Sequence, residues 1–141
     1  EPYYYVRLKA LFYAFFYEML AGNYIITSDH AEQNKSLSSI KNVLDYINSH
    51  YNEPLNAKEL AGLSNYSEYY FMKLFRQYTG KTLIEYINDL RLEKSKTLLL
   101  HSDDSVTEIA LECGFNNTSY YIKKFQQANG ISPHKFRKNM S

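Results

Sequence analysis

Residues 59–86 read ELAGLSNYSEYYFMKLFRQYTGKTLIEY, and residues 108–136 read EIALECGFNNTSYYIKKFQQANGISPHKF. Laid over one another, the two stretches repeat. With a shift of 50, Tyr70 meets Tyr120, Lys73 meets Lys123, Phe75 meets Phe125, Gln77 meets Gln127 and Gly80 meets Gly130. Thr82 meets Ser132, and Tyr86 meets Phe136. With a shift of 49, Glu59-Leu60-Ala61 meets Glu108-Ile109-Ala110, and Asn65 meets Gly114. The one-residue difference falls at the start of the second helix of each pair, where a change of length is cheap.

Each copy predicts a short helix, a tight turn and a longer helix, which is the plan of a helix-turn-helix. Ala61 and Ala110 are small enough to let the two helices of a pair cross closely. Asn65 and Gly114 are residue types that tolerate the positive φ of a tight turn. Tyr66 and Phe115 follow as plugs for the core, and Ser67 and Asn116 or Asn117 can cap the second helix.

Outward from the repeat, the whole chain reads as helix, with no convincing alternation of period 2. The fold class is all-α: two helix-turn-helix subdomains, about seven helices, and an apolar N-terminal helix. Residues 1–26 form a Tyr/Phe-rich segment in which Leu8, Leu11, Phe12, Phe15, Phe16, Met19 and Leu20 cover most of a helical circumference. The polar stretch 27–36 reads as a linker. Residues 37–141 form the tandem domain. Its first helix carries Leu37, Ile40, Val43, Leu44 and Ile47 at helical spacing. Short helices follow near 57–63 and 106–113, longer ones near 67–78 and 117–128. A linking helix runs from about Thr82 to Leu100, with Leu83, Tyr86, Ile87, Leu90, Lys94 and Leu98 marking its turns. Asp103, Asp104 and Ser105 are candidate caps, and Pro133 opens a last short helix.

Composition excludes several function classes. Net charge is +1, so charge alone does not announce a nucleic-acid binder. Cys113 is the single cysteine, which rules out an internal disulfide or a Cys-rich metal site and suits a reducing compartment. The four histidines are scattered without metal-ligand spacing. No nucleophile has a base beside it, no carboxylate pair suits acid–base work, and no glycine-rich phosphate loop occurs. The reading is therefore not an enzyme, with no cofactor, no metal and no membrane span. A cytoplasmic, nucleoid-associated location is expected. The chain opens on Glu1 without a signal peptide, which reads as a piece of a longer protein.

Helical hairpins by themselves fit a protein-interaction module as well as a DNA binder. The surface chemistry decides between them. The second helix of the first unit is expected to expose Glu68, Tyr69, Met72, Lys73 and Arg76. That of the second unit should expose Thr118, Ser119, Ile122, Lys123 and Gln126. Basic, hydrogen-bonding and small apolar groups near the start of a helix suit major-groove reading. A strut of about 19 residues spans roughly 28 Å, near the roughly 34 Å between successive major grooves.

The stretch from about Ile40 to Arg137 closely resembles the DNA-binding domain of AraC/XylS-family regulators. The most specific part is Ile109-Ala110 followed by Gly114-Phe115, then Tyr120-Tyr121, Phe125, Gly130, Pro133 and Phe136-Arg137. The first unit matches through Leu60-Ala61, Ser67, Phe71, Phe75, Gly80, Tyr86, Arg91-Leu92 and Leu99-Leu100. The resemblance implies promoter binding, activation of transcription and contact with RNA polymerase. It places base reading on Tyr69, Met72, Lys73, Thr118, Ser119 and Lys123, joined by Ile122 against thymine methyls. It places phosphate contacts on Arg76, Gln77 and Gln126, with Ser67 and Asn117 added at the helix starts. Ser95 stands where the family usually has alanine. Residues 3–21 resemble the last helix of a sensor that dimerises and binds a small-molecule effector. A receiver-linked response regulator would carry the same output domain and stays an alternative.

Overall fold

The computed structural model describes residues 12–13 and 28–140. Among these it contains seven helices and no strand: α1 Ser28–His50, α2 Ala57–Ser64, α3 Glu68–Thr79, α4 Leu83–His101, α5 Val106–Glu112, α6 Thr118–Asn129 and α7 Pro133–Met140. The all-α expectation of two helix pairs around a shared helix holds. The apolar helix expected over residues 3–21 lies outside the described residues, apart from Phe12 and Tyr13, which are helical and exposed.

The linker expected at 27–36 is corrected, because α1 runs through it from Ser28. The stretch is polar but holds neither glycine nor proline, and Ala31, Glu32, Gln33 and Lys35 are good helix formers. The chain divides into two compact units within this helix, after Lys35. Leu37, expected in the core, is half exposed at 52%. Ser36 is buried instead, and its hydroxyl pairs with that of Tyr66 at 3.2 Å.

Within residues 36–141 there are two cores, and α4 serves both. Its first half gives Leu83 and Ile87 to a cluster with Ile40, Val43, Ile47, Leu60, Phe71 and Phe75. Its second half gives Leu92 and Leu99 to a cluster with Ile109, Ala110, Cys113, Phe115, Tyr121 and Phe125. Repeat mates thus fill equivalent places, Phe71 with Tyr121 and Phe75 with Phe125. The extra hydroxyl of Tyr121 is enclosed without a full hydrogen bond. It faces Ser95, whose own proton goes to the Leu92 carbonyl at 2.7 Å. Burial pushes this phenol up to about 12, with Ser95 pulling the other way. A polar neighbour for this hydroxyl accounts for serine at position 95.

The turns and caps follow the local chemistry. Asn65 holds φ 57° and Gly114 φ 88° in their respective turns. Ser67 caps α3 and Asn117, rather than Asn116, caps α6. Asn116 is therefore the extra residue of the second copy. Of the three candidates before α5, Ser105 is the cap, in a reciprocal box with Glu108, and Thr82 and Glu85 form the same box on α4.

Candidate nucleic-acid interface

The amphipathic pattern of α3 sends Phe71, Leu74 and Phe75 inward, with Met72 and Tyr78 at the edge of the buried face. Tyr69 is 82% exposed, and Glu68, Lys73, Arg76 and Gln77 are exposed with it. On α6, Tyr121 and Phe125 point inward, while Ser119, Lys123 and Gln126 are exposed. The repeat-equivalent lysines therefore sit on matching outer faces of matching helices.

Three expected outer residues are corrected to half-buried. Met72 packs against the first core and Ile122 against the second, and Thr118 is also half-buried. The cause is position. Residues 72 and 122 directly follow the deepest core residue of each helix, so they lie on the edge of the apolar stripe. A shallow groove of about 610 Å3 runs along α6 and brings together Ser119, Ile122, Lys123 and Gln126, with Gln127 and Gly130.

The caps leave donors available. The Ser67 hydroxyl oxygen accepts from the Tyr70 amide at 3.3 Å, and the Asn117 side-chain oxygen accepts from the Tyr120 amide at 2.8 Å. Neither bond consumes the Ser67 proton or the Asn117 side-chain NH2. Arg76 lies near Glu85, whose carboxyl is held below its ordinary value, first by the Thr82 backbone amide and hydroxyl and then by Arg76 and Lys124.

The two reading helices are fixed by more than the strut. Arg91 on α4 donates from Nε to the Tyr51 carbonyl at 2.6 Å and from Nη2 to the Glu53 carbonyl at 2.9 Å. Its guanidinium also lies 5.9 Å from the centre of the Phe115 ring. The turn of the second unit touches the first: a Cβ at Gly114 would stand 2.8 Å from Asn52 Cα. Asn88 on α4 donates to the Tyr120 hydroxyl of α6 at 3.0 Å. At the far end, Arg137 donates to the Leu99 carbonyl at 3.1 Å and the Asp104 carbonyl at 2.6 Å, tying α7 to the end of α4.

Sequence reasoning missed these positioning roles. A signal existed at Arg91, which has no acid three or four residues away to explain its charge: Ile87, Asn88, Lys94 and Ser95 occupy those places. Cys113 is fully buried and its thiol is pushed up to about 11, mainly by burial, which keeps it protonated and inert.

A family model described as a helix-turn-helix domain matches residues 60–139, more than half of the chain. The chain is 33% identical over 120 residues to the HTH-type transcriptional regulator YdeC of Bacillus subtilis, covering 85% of this chain and 41% of that protein. It is 34% identical over 98 residues to the HTH-type transcriptional activator RhaS of Escherichia fergusonii, covering 70% and 35%. The chain thus spans less than half the length of these relatives. Its fold is similar to that of the DNA-binding domain of AdpA in complex with a target DNA, with TM-score 0.68, 28% identity, and coverage of 71% and 90%. An AraC-type regulator from Chromobacterium violaceum shares the fold at TM-score 0.69 and 24% identity, with coverage of 75% and 95%. No helix among the described residues is long and apolar enough to cross a membrane. The tandem units, their shared helix and these likenesses agree: the chain belongs to the AraC-type family of helix-turn-helix transcription regulators and carries its DNA-binding domain.

Proposed function

We propose that α3 and α6 enter two successive major grooves on one face of a promoter site, so that one chain reads two unequal half-sites. The observation that carries this reading is the matched exposure of Lys73 and Lys123 on repeat-equivalent helices joined by one shared helix. Tyr69, Met72 and Lys73 read one half-site, and Thr118, Ser119, Ile122 and Lys123 the other. Lysine suits guanine O6 and N7, while the half-buried Met72 and Ile122 offer short apolar contacts to thymine methyls. Ser67, Arg76, Gln77, Asn117 and Gln126 hold the flanking phosphates and set the register.

The family relationship supports action as an activator that contacts RNA polymerase, in the cytoplasm. An effector and a dimer contact through residues 3–21 belong to the longer protein in this reading. The domain itself acts by binding, with no catalytic step.

The test is a gel-shift titration across salt concentrations, on a duplex that the chain selects from a random-sequence pool. Lys73→Ala and Lys123→Ala should each weaken binding by about 1–3 kcal/mol and relax specificity at the base they contact. Melting should stay near wild type. A module that binds only protein would select no duplex and show no steep salt slope. Variants that melt far below wild type with DNA affinity intact would show that the faces are wrongly assigned.

A further inference from the structure

A cleft of about 240 Å3 opens where the two helix-turn-helix units meet, lined by Asn52, Pro54, Leu55, Asn56, Arg91, Gly114 and Asn116. Its walls come from both units: Asn52, Pro54, Leu55 and Asn56 from the turn before α2, and Gly114 and Asn116 from the turn before α6. Arg91 reaches in from α4 between them.

The chemistry of this lining is one-sided. Arg91 is half-buried and forms no ion pair with a carboxylate among the described residues; its two protein bonds go to neutral carbonyls. A guanidinium carries five N–H donors, so three remain uncommitted. Partial burial without a counter-charge also pulls its pKa below the ordinary arginine value. Asn52, Asn56 and Asn116 add exposed amides, and the one carboxylate of this turn, Glu53, is exposed and does not line the cleft. Asn116 is the residue by which the second copy exceeds the first, so the repeat does not require it for the turn. It directly precedes the cap of α6, so a duplex engaged by the start of α6 passes this opening.

We infer that this cleft holds a backbone phosphate of the DNA segment between the two half-sites, with Arg91, Asn56 and Asn116 as its donors. The inference rests on the two-groove reading above. A phosphodiester offers two anionic oxygens to planar N–H forks, which is what guanidinium and carboxamide groups supply. The contact carries no sequence information. It anchors the centre of the site and sets the register of both reading helices at once.

Asn56→Asp and Asn116→Asp test this without removing Arg91, whose bonds hold the fold. The Asn56 side-chain oxygen caps α2 by accepting from the Glu59 amide at 2.9 Å, and aspartate serves as well there, so Asn56→Asp keeps the helix start while placing an anion in the cleft. On the selected duplex, each variant should bind several-fold more weakly than the wild-type chain. The log–log salt slope should fall by about 1, with melting unchanged. A scan of single neutral methylphosphonate linkages through the centre of the same duplex should find one linkage that weakens wild-type binding. Both Asp variants should be insensitive at that linkage. Asp variants that bind like wild type, or a centre with no sensitive linkage, would overturn the inference. If instead the Asp variants lose affinity while Lys73→Ala and Lys123→Ala do not, the cleft stands and the base-reading assignment fails. Asn116→Gln, which disturbs no helix cap, serves as the neutral control, and a loss of the same size there would also count against a phosphate.

Discussion

Gly114 carries two demands that its repeat mate Asn65 does not. Its φ of 88° costs any other residue about 1–2 kcal/mol, and a Cβ there would overlap the Asn52 backbone and crowd Arg91. Gly130 has a similar φ of 75°, but nothing lies within 4 Å of its missing Cβ. Gly114→Ala should therefore destabilise clearly more than Gly130→Ala, by denaturant titration, and Asn65→Gly should change stability by less than about 1 kcal/mol. Equal losses at the two glycines would mean that the two units do not touch at Asn52. The capping carboxylates make a second expectation. Glu85 and Glu108 are held below their ordinary value of 4.5, each chiefly by its cap's backbone amide and hydroxyl. Their folded form binds fewer protons than the unfolded chain, so the stabilisation is complete above 4.5 and is lost as pH falls through the depressed values. The advantage of wild type over Glu85→Gln/Glu108→Gln, measured by thermal melting, should shrink across that acidic window. A difference constant with pH would remove the boxes from the account.

Among the elements, α4 has the narrowest tolerance, because its two halves belong to different cores. One residue inserted near Lys94 rotates everything beyond it by about 100° and lengthens the helix by about 1.5 Å. It would pull Leu99 from the second core and break the contacts that cross the insertion, Asn88 with Tyr120, Arg91 with the Phe115 ring and Asn52 with Gly114. Insertion variants should therefore lose stability as well as two-site binding, and those that stay helical should keep only weak, salt-sensitive binding. Glu93→Gln on the exposed face should change neither. An unchanged footprint from a folded insertion variant would reduce α4 to a tether. The elements from α2 to α7 were legible because the repeat reports local chemistry: glycine stops, capping residues and a 3.6-residue apolar period. The start of α1 was not, since polarity resembles a linker when no partner is visible. Met72 and Ile122 were read as outward because helical spacing places a side chain only to within an edge. Arg91, Asn88 and Arg137 were missed because their acceptors lie 32 to 40 residues away, two of the three on backbone carbonyls that no side-chain pattern records.

In the whole domain, on the proposed reading, the two reading helices act as one rigid caliper. The strut of 19 residues spans about 28 Å, and Arg91, Asn88 and the Asn52–Gly114 contact hold the units against twisting about it. A caliper of this kind accepts only one separation of half-sites, about one helical turn or 10–10.5 base pairs between centres. Two independent readers on a tether would accept others, because a flexible link costs little more entropy as it lengthens. In the proposed reading, Lys73 and Lys123 contribute together to one binding event rather than to two. The most direct measurement varies the DNA and leaves the protein intact: binding of the wild-type chain to a series of selected duplexes in which the centre is lengthened base pair by base pair through one added turn. For a rigid caliper, affinity should collapse with roughly half a turn added and stay collapsed at a full added turn, leaving only salt-sensitive binding. Recovery of specific affinity at the full added turn would contradict it.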